Sequence, residues 1–165
     1  GHEITVNKPI KEAWAVSQDD SKLGQWLKGF KSIELISGDK GTLGSKYKVV
    51  VSPGEGQPDF EMIETIASIE EFDHVKLDFD SDFMDFEQTI SFKETDGMTT
   101  VTTDSKVIGK NIMSRSMFAI MELLGGTFTA QETKNIDALK KVMEENTTDY
   151  YPVPDTTENE TNLPE

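Results

Sequence analysis

The chain has 165 residues, of which 35% are hydrophobic and 28% are charged. This length suits one domain with one sizeable core, and no apolar run approaches the ~20 residues that span a bilayer, which excludes a membrane-spanning protein. Lys and Arg total 16 against 31 for Asp and Glu, so the formal net charge is −15. Such a charge repels phosphate backbones at long range, and nucleic acid is therefore not an expected partner.

The chain contains no cysteine. Disulfides, thiolate catalysis and cysteine-ligated zinc are excluded, and a reducing compartment is favoured. After Gly1-His2-Glu3 the sequence enters a strand pattern directly, with no charged and apolar leader. We therefore expect a cytoplasmic protein, although a removed signal peptide would leave the same pattern.

The first elements are a short strand and two short helices. Ile4 and Val6 alternate with polar neighbours up to Pro9, which predicts a strand that stops at the proline. Pro9 suits the start of a helix over residues 9–17, and a second helix is predicted over 21–28 with Ser21 as its cap.

The middle of the chain predicts six consecutive strands joined by Gly, Pro and Asp turns, near residues 32–37, 44–52, 58–70, 74–80, 84–94 and 98–108. Residues 111–145 lack proline and carry one apolar stripe, which predicts a helix of roughly 50 Å. So long a helix needs a broad, curved sheet to bury its stripe. The order β-α-α-β6-α therefore predicts an α+β fold, in which a curved antiparallel sheet wraps around a long C-terminal helix.

The composition changes after Asn146 to Thr, Asp, Asn, Glu and Pro, with few apolar residues. Such a segment cannot bury enough surface to offset its ordering entropy. We expect one domain over 1–146 and an acidic, flexible tail over 147–165 that contributes little to stability, with local docking of Tyr150-Tyr151-Pro152 left open.

The order of elements and four motifs resemble the START-related, Bet v 1-like superfamily (SRPBCC), including its polyketide cyclase/dehydrase-like bacterial members. The motifs are VNKPIKEAWAV, LGQWLKGFKSIELISGDKGTLGSKYKV, DGMTTVTT and IDALKKVMEE. The resemblance spans nearly all of residues 3–145 and implies a helix-grip fold with an apolar pocket between sheet and long helix. It does not specify a function, because the superfamily includes carriers, cyclases, aromatases and chaperone activators.

The long helix supplies the first candidate ligand contacts. Methionines recur every four residues, and their flexible thioethers suit either an adaptable cavity wall or ordinary core filling. The resemblance favours the cavity. The candidates on this face are Met113, Met117, Met121, Leu124 and Phe128.

The strands supply the facing wall. Alternation places Tyr47, Phe79 and Phe86 on the inner face together with the polar side chains of Gln88 and Thr103, which suit the orientation of a ligand. Thr103 also fits an ordinary strand residue. Trp26 matches a recurrent tryptophan of the superfamily and is a candidate at the end of the pocket, where it packs the helix pair, contacts ligand or does both.

Polar residues interrupt the helix stripe at Gln131, Glu132 and Asn135, which either orient a ligand or pass the rim of the sheet into water. On the predicted fourth strand, Glu61 and Glu64 lie three residues apart and therefore face opposite sides unless a bulge intervenes. One of them is a candidate buried acid.

Catalytic and metal chemistry have weak support. Only His2 and His74 supply imidazole, which makes a histidine-based triad improbable. Asp78-Phe79-Asp80-Ser81-Asp82 imitates a calcium loop but lacks its glycine and twelfth-position glutamate. We expect no metal site, no cofactor and no assigned catalytic residue.

The predicted function is binding or transport of a small hydrophobic ligand, such as a lipid, aromatic or polyketide-like molecule. The alternatives are a cyclase, dehydrase or aromatase that uses the same cavity with an inward acid or base, and a chaperone-activator-like interaction module with a collapsed cavity. The sequence leaves the oligomeric state open.

Overall fold

The computed structural model describes residues 1–52, 56, 58–82, 84–108 and 115–154, with the backbone alone for 115–129. The strands are β1 (His2–Val6), β2 (Phe30–Ser37), β3 (Lys46–Val51), β4 (Phe60–Glu70), β5 (His74–Asp80), β6 (Phe86–Thr95) and β7 (Met98–Val107). The α-helices are α1 (Ile10–Ser17), α2 (Leu23–Trp26) and α3 (Arg115–Glu144), and a 3-10 helix, Asp20–Lys22, precedes α2. None of the helices in this described part is both long and apolar enough to cross a membrane.

The strands form one antiparallel sheet in the order β1-β7-β6-β5-β4-β3-β2. Strands β2 to β7 pair with their neighbours in sequence, and β1 pairs with the last strand, so α1 and α2 cross from one edge of the sheet to the other. The predicted α+β helix-grip fold is confirmed. The predicted strand bounds agree with the observed ones to within two residues, because period-two alternation and turn residues are local signals.

The segment between α1 and β2 differs from the prediction. Residues 21–28 were expected to form one helix capped by Ser21, but the cap is Asp19, whose carboxylate accepts hydrogen bonds from the backbone N–H (3.0 Å) and hydroxyl (2.6 Å) of Ser21. The hydroxyl of Ser21 is therefore a donor to the cap and not the cap itself. The chain leaves α2 after Trp26 and turns at Gly29, which has a φ of +78° and whose Cβ position would collide with the carbonyl of Ser52.

Strand β4 contains one extra residue. Ile66 pairs with Leu77 and Ser68 pairs with Lys76, so Ala67 lies in a bulge between two regular stretches. The bulge changes the side of the sheet on which alternate residues lie. Met62, Glu64 and Ile66 face the helix side before it, and Ile69 packs against the core after it.

One end of the molecule is a close-packed core. Leu139 and Met143 of α3 are completely buried, as are Val6, Val16 and Val101. The ring of Trp14 meets the rings of Phe92 and Phe72 edge-on, with centroids 5.1 and 6.2 Å apart. These contacts fix the C-terminal half of α3 against β1 and α1.

The described part of the C-terminal segment contacts this closed end. Asn146 is buried, and its amide donates hydrogen bonds to Glu12 Oε1 (2.9 Å) and to the carbonyl of Thr148 (3.0 Å). The hydroxyl of Tyr150 donates to Asp19 Oδ2 at 2.7 Å, and its ring packs against the core. Tyr150 therefore docks locally. The low contribution of 147–165 to stability remains a prediction, and 155–165 lie outside the described residues.

Replacing Tyr150 with Phe tests whether this docking matters. The variant loses a hydrogen bond to a charged acceptor, so we expect the free energy of unfolding to fall by about 1 kcal/mol in urea denaturation at neutral pH. Tyr151→Phe is the matched control, because the Tyr151 hydroxyl is 3.4 Å from the Lys11 carbonyl and the residue is half exposed. Equal stability of Tyr150→Phe and wild type would show that the contact contributes nothing.

Candidate ligand-binding cavity

A cavity of about 790 Å3 lies between the inner face of the sheet, the α2 region and helix α3. Its volume falls within the range of roughly 300–1,000 Å3 that is usual for small-molecule sites. Most of its wall is apolar, with Leu23, Trp26, Ile33, Val49, Val51, Met62, Ile66, Val75, Leu77, Phe79, Phe86, Ile90, Ile136 and Leu139 among the lining residues.

One cross-strand row of the sheet contributes a carboxyl group between aromatic rings. Glu64 on β4 pairs with Tyr47 on β3 and with Phe79 on β5, and Phe79 pairs in turn with Phe86 on β6. The rings of Phe79 and Phe86 are stacked, with centroids 4.4 Å apart and planes inclined by 10°. Paired residues of neighbouring strands lie on the same face, so the register fixes this sequence of side chains across the cavity floor.

Glu64 is the acid that faces inward, and Glu61 is exposed on the other side. The two glutamates therefore face opposite sides of the sheet, as expected from their spacing of three residues, because the bulge in β4 comes only after Ile66. Burial among apolar residues and the nearby charge of Asp20 raise the pKa of Glu64 to about 7. Among the described residues, none forms a hydrogen bond or an ion pair with the Glu64 carboxyl group.

The neighbouring wall of the cavity carries charged groups on the 3-10 helix and the β2–β3 loop. Asp20 Oδ2 forms an ion pair with Lys40 Nζ at 3.3 Å. Gly41 in the same loop donates its backbone N–H to the hydroxyl of Tyr47 at 2.7 Å, which holds the loop against the cavity wall. Asp20, Lys40 and Gly41 all line the cavity.

Uncharged polar groups lie at other points of the wall. The amide of Gln88 donates to Ser105 Oγ at 3.4 Å, and Thr103 is buried. The indole N–H of Trp26 is buried without a hydrogen-bond partner among the described residues, although Trp26 lines the cavity. A buried donor without an acceptor is costly, and this N–H group has almost no surface open to the cavity.

Helix α3 contributes polar residues where the sequence left two interpretations open. Gln131, Glu132 and Asn135 line the cavity. Asn135 Oδ1 accepts hydrogen bonds from the amide of Gln131 (2.9 Å) and from the backbone N–H of Lys28 (3.2 Å), which ties the helix to the chain after α2.

The candidate contacts from the sequence divide into two groups. Trp26, Tyr47, Phe79, Phe86, Gln88 and Thr103 all line the cavity. Met113 lies outside the described residues, and Met117, Met121, Leu124 and Phe128 lie in the part of α3 whose side chains are not described. That any of these residues contacts a ligand remains a prediction.

His74 is less isolated than the sequence suggested. Its Nδ1 lies 2.6 Å from Asp73 Oδ2 and its Nε2 lies 2.8 Å from Ser68 Oγ, an arrangement that resembles a serine triad. His74, Asp73 and Glu70 also have possible ligand atoms within 4.8 Å of one another. None of these residues lines the cavity, and His74 alternates with the inward Val75. The bulge at Ala67 brings Ser68 to the side of His74, which sequence spacing alone does not reveal.

A curved sheet and a long helix that enclose an apolar cavity define a helix-grip protein of the START-related, Bet v 1-like superfamily. The family model described as polyketide cyclase/dehydrase and lipid transport matches residues 2–144, and the chain belongs to this family. No curated protein matches the chain at a significant level.

Solved structures share the fold at low sequence identity. A conserved protein from Geobacillus kaustophilus is 23% identical over 86% of this chain and 91% of its own, with a TM-score of 0.61. Ara h 8.0201 is 14% identical over 88% and 96%, with a TM-score of 0.65. The Zhui aromatase/cyclase from Streptomyces sp. R1128 is 11% identical over 87% and 91%, with a TM-score of 0.63. These identities establish the fold alone.

Replacing Glu64 with Gln tests the acid in the cavity wall. A pKa that is raised in the folded state favours folding while the carboxyl is protonated, and this stability is lost as the pH rises from the unfolded value of 4.5 to about 7. Glu64→Gln removes the cost of ionisation. We therefore expect the variant to match wild type near pH 4.5 and to exceed it by on the order of 2–3 kcal/mol above about pH 7.

Urea denaturation across this pH range measures the difference, and Glu61→Gln on the exposed face of the same strand is the control. A stability difference between Glu64→Gln and wild type that does not change with pH would show that Glu64 ionises like a solvated carboxyl.

Proposed function

We propose that the chain binds a small hydrophobic ligand, such as a lipid, aromatic or polyketide-like molecule, and acts as its carrier or sensor. The observation that carries the proposal is the cavity of about 790 Å3 with a mainly apolar wall. Protein interiors are normally close-packed, with few voids larger than a water molecule. A mainly apolar cavity of this size is suited to a small hydrophobic ligand.

The energetics of the cavity agree with this proposal. An apolar ligand gains roughly 25 cal/mol for each Å2 of its apolar surface that leaves water. A few polar groups, including Gln88 and Thr103, would orient it. The family description, which includes lipid transport, points the same way. The interaction module requires a collapsed cavity and has less support.

We propose a cytoplasmic location from the absence of cysteine. The net charge of −15 supports a small-molecule partner over nucleic acid.

Filling the cavity should prevent binding. Leu77 lines the cavity from the middle of β5, and Leu77→Trp adds a large ring there. We expect wild type to bind the neutral dye N-phenyl-1-naphthylamine with enhanced fluorescence, and the variant to bind it at least ~10-fold more weakly. Native mass spectrometry of freshly purified wild type should also detect a copurified small molecule.

Lys76→Trp is the matched control, because it adds the same ring to the adjacent position on the other face of β5, where Lys76 pairs with Glu87 at 3.3 Å. It should bind the dye like wild type. Failure of wild type to bind the dye, or unchanged binding by Leu77→Trp, would contradict the proposed function.

A cyclase or dehydrase is the second candidate, and the raised pKa of Glu64 in the cavity is the observation that favours it. A carboxyl with a pKa near the working pH is suited to general acid–base catalysis, which typically contributes 10²–10⁴-fold to a rate. The absorbance of the enone formed from 4-hydroxy-4-phenylbutan-2-one by loss of water reports this chemistry. We expect elimination that Glu64→Gln abolishes and Glu61→Gln retains. Equal rates in wild type and Glu64→Gln would contradict the enzymatic role.

A further inference from the structure

We propose that the cavity selects apolar molecules that carry a positively charged nitrogen, with the Glu64 carboxylate as the counter-charge and the flanking rings of Tyr47 and Phe79 as the walls of the ammonium site. The inference rests on the proposed function, since it names the chemical class of ligand for the same cavity. A purely apolar ligand would not interact with the charge of Glu64, whereas a cationic ligand would.

The first argument is the placement of the carboxyl group. Glu64 has Tyr47 and Phe79 as its cross-strand neighbours, and Met62 and Ile66 precede and follow it on the same face of β4. Among the described residues no cation or hydrogen-bond donor compensates it. A carboxylate in such surroundings is costly unless it is paired, and a ligand cation would supply the partner that the described wall lacks.

The second argument is the chemistry of the flanking groups. The faces of aromatic rings attract cations, and the combination of rings with a carboxylate is the usual environment for an ammonium group. Tyr47 lies on one side of Glu64 in the cross-strand row, and the stacked rings of Phe79 and Phe86 lie on the other. A neutral carbonyl or hydroxyl does not require a carboxylate, since Gln88 and Thr103 already offer uncharged hydrogen-bonding groups elsewhere in the wall.

The third argument is the charge around Glu64. The ionisable groups that line the cavity are Asp20 on the 3-10 helix, Lys28 after α2, Lys40 on the β2–β3 loop, Tyr47 on β3, Asp59 before β4 and Glu132 on α3. Lys40 is paired with Asp20. With Glu64 included, carboxyl groups outnumber lysines in the described wall. The net charge of −15 adds a field that favours cations over anions.

Binding of such a ligand should depend on pH in a defined direction. An ammonium group binds the ionised carboxylate and not the neutral acid. Since the pKa of Glu64 is about 7, raising the pH from about 6 to about 8 ionises the group, and affinity should rise about 10-fold. A neutral ligand of the same shape should bind about equally at both pH values.

The probes are 1-naphthylmethylamine, which stays protonated over this range, and its neutral counterpart 1-naphthylmethanol. Isothermal titration calorimetry on the full chain at about pH 6 and about pH 8 gives both affinities. We expect the amine to bind at least ~10-fold more tightly than the alcohol at the higher pH, with this preference reduced about 10-fold at the lower pH. Glu64→Gln should abolish the preference at both pH values and retain binding of the alcohol, whereas Glu61→Gln should behave like wild type.

The outcomes separate the two proposals. Binding of the alcohol without a preference for the amine, or a preference that survives in Glu64→Gln, would overturn the cationic ligand class and leave the proposed function intact. Failure of both naphthalene probes and of the neutral dye to bind wild type would overturn both. The comparison of amine with alcohol on wild type needs no variant, so it decides the question even if Glu64→Gln does not fold.

Discussion

The burial of the C-terminal end of α3 is the constraint on which the rest of the structure depends. Leu139 and Met143 have no exposed surface, and they pack where β1, α1 and the Trp14 ring close one end of the sheet. This contact fixes the helix at one end while the sheet curves away beneath the preceding turns. The dense core at the closed end therefore holds the C-terminal half of α3 in place beside the cavity.

Ionisation of Glu64 in the cavity lowers the stability of the folded protein. An acid among apolar side chains destabilises the folded protein near neutral pH, and an apolar residue would avoid this cost. Tyr47, Phe79 and the charged pair of Asp20 and Lys40 line the same cavity from four parts of the chain: β3, β5, the 3-10 helix and the β2–β3 loop. Costs of this kind concentrate at functional sites, where a ligand can offset them. The proposed cationic ligand and the proposed acid–base chemistry would both use this carboxyl group.

The sequence predicts more of the fold than of the site. Alternation in the strands, Pro9 and the proline-free helix are local patterns, and they gave the element order and most boundaries correctly. Helical periodicity places Gln131 and Asn135 on a face, but it cannot tell whether water or a cavity lies opposite that face. The pKa of Glu64 and the contact of Ser68 with His74 depend on residues brought together by folding and by one bulge. The cap at Asp19 was missed because Ser21 carries an equally good capping group.

The bulge at Ala67 divides strand β4 into two stretches. Even-numbered residues face the interior before it, and odd-numbered residues face the interior after it. Deletion of Ala67 alone would leave both halves of the strand facing as they do now, because Ile66 and Ser68 would then pair with Leu77 and Lys76 in regular succession. Flattening the bulge without a deletion would instead invert the alternation beyond Ile66, turning the Ser68 hydroxyl toward the interior and Ile69 toward solvent. Relatives that lack a residue at this position should therefore keep the same inward-facing residues, with a more regular strand β4.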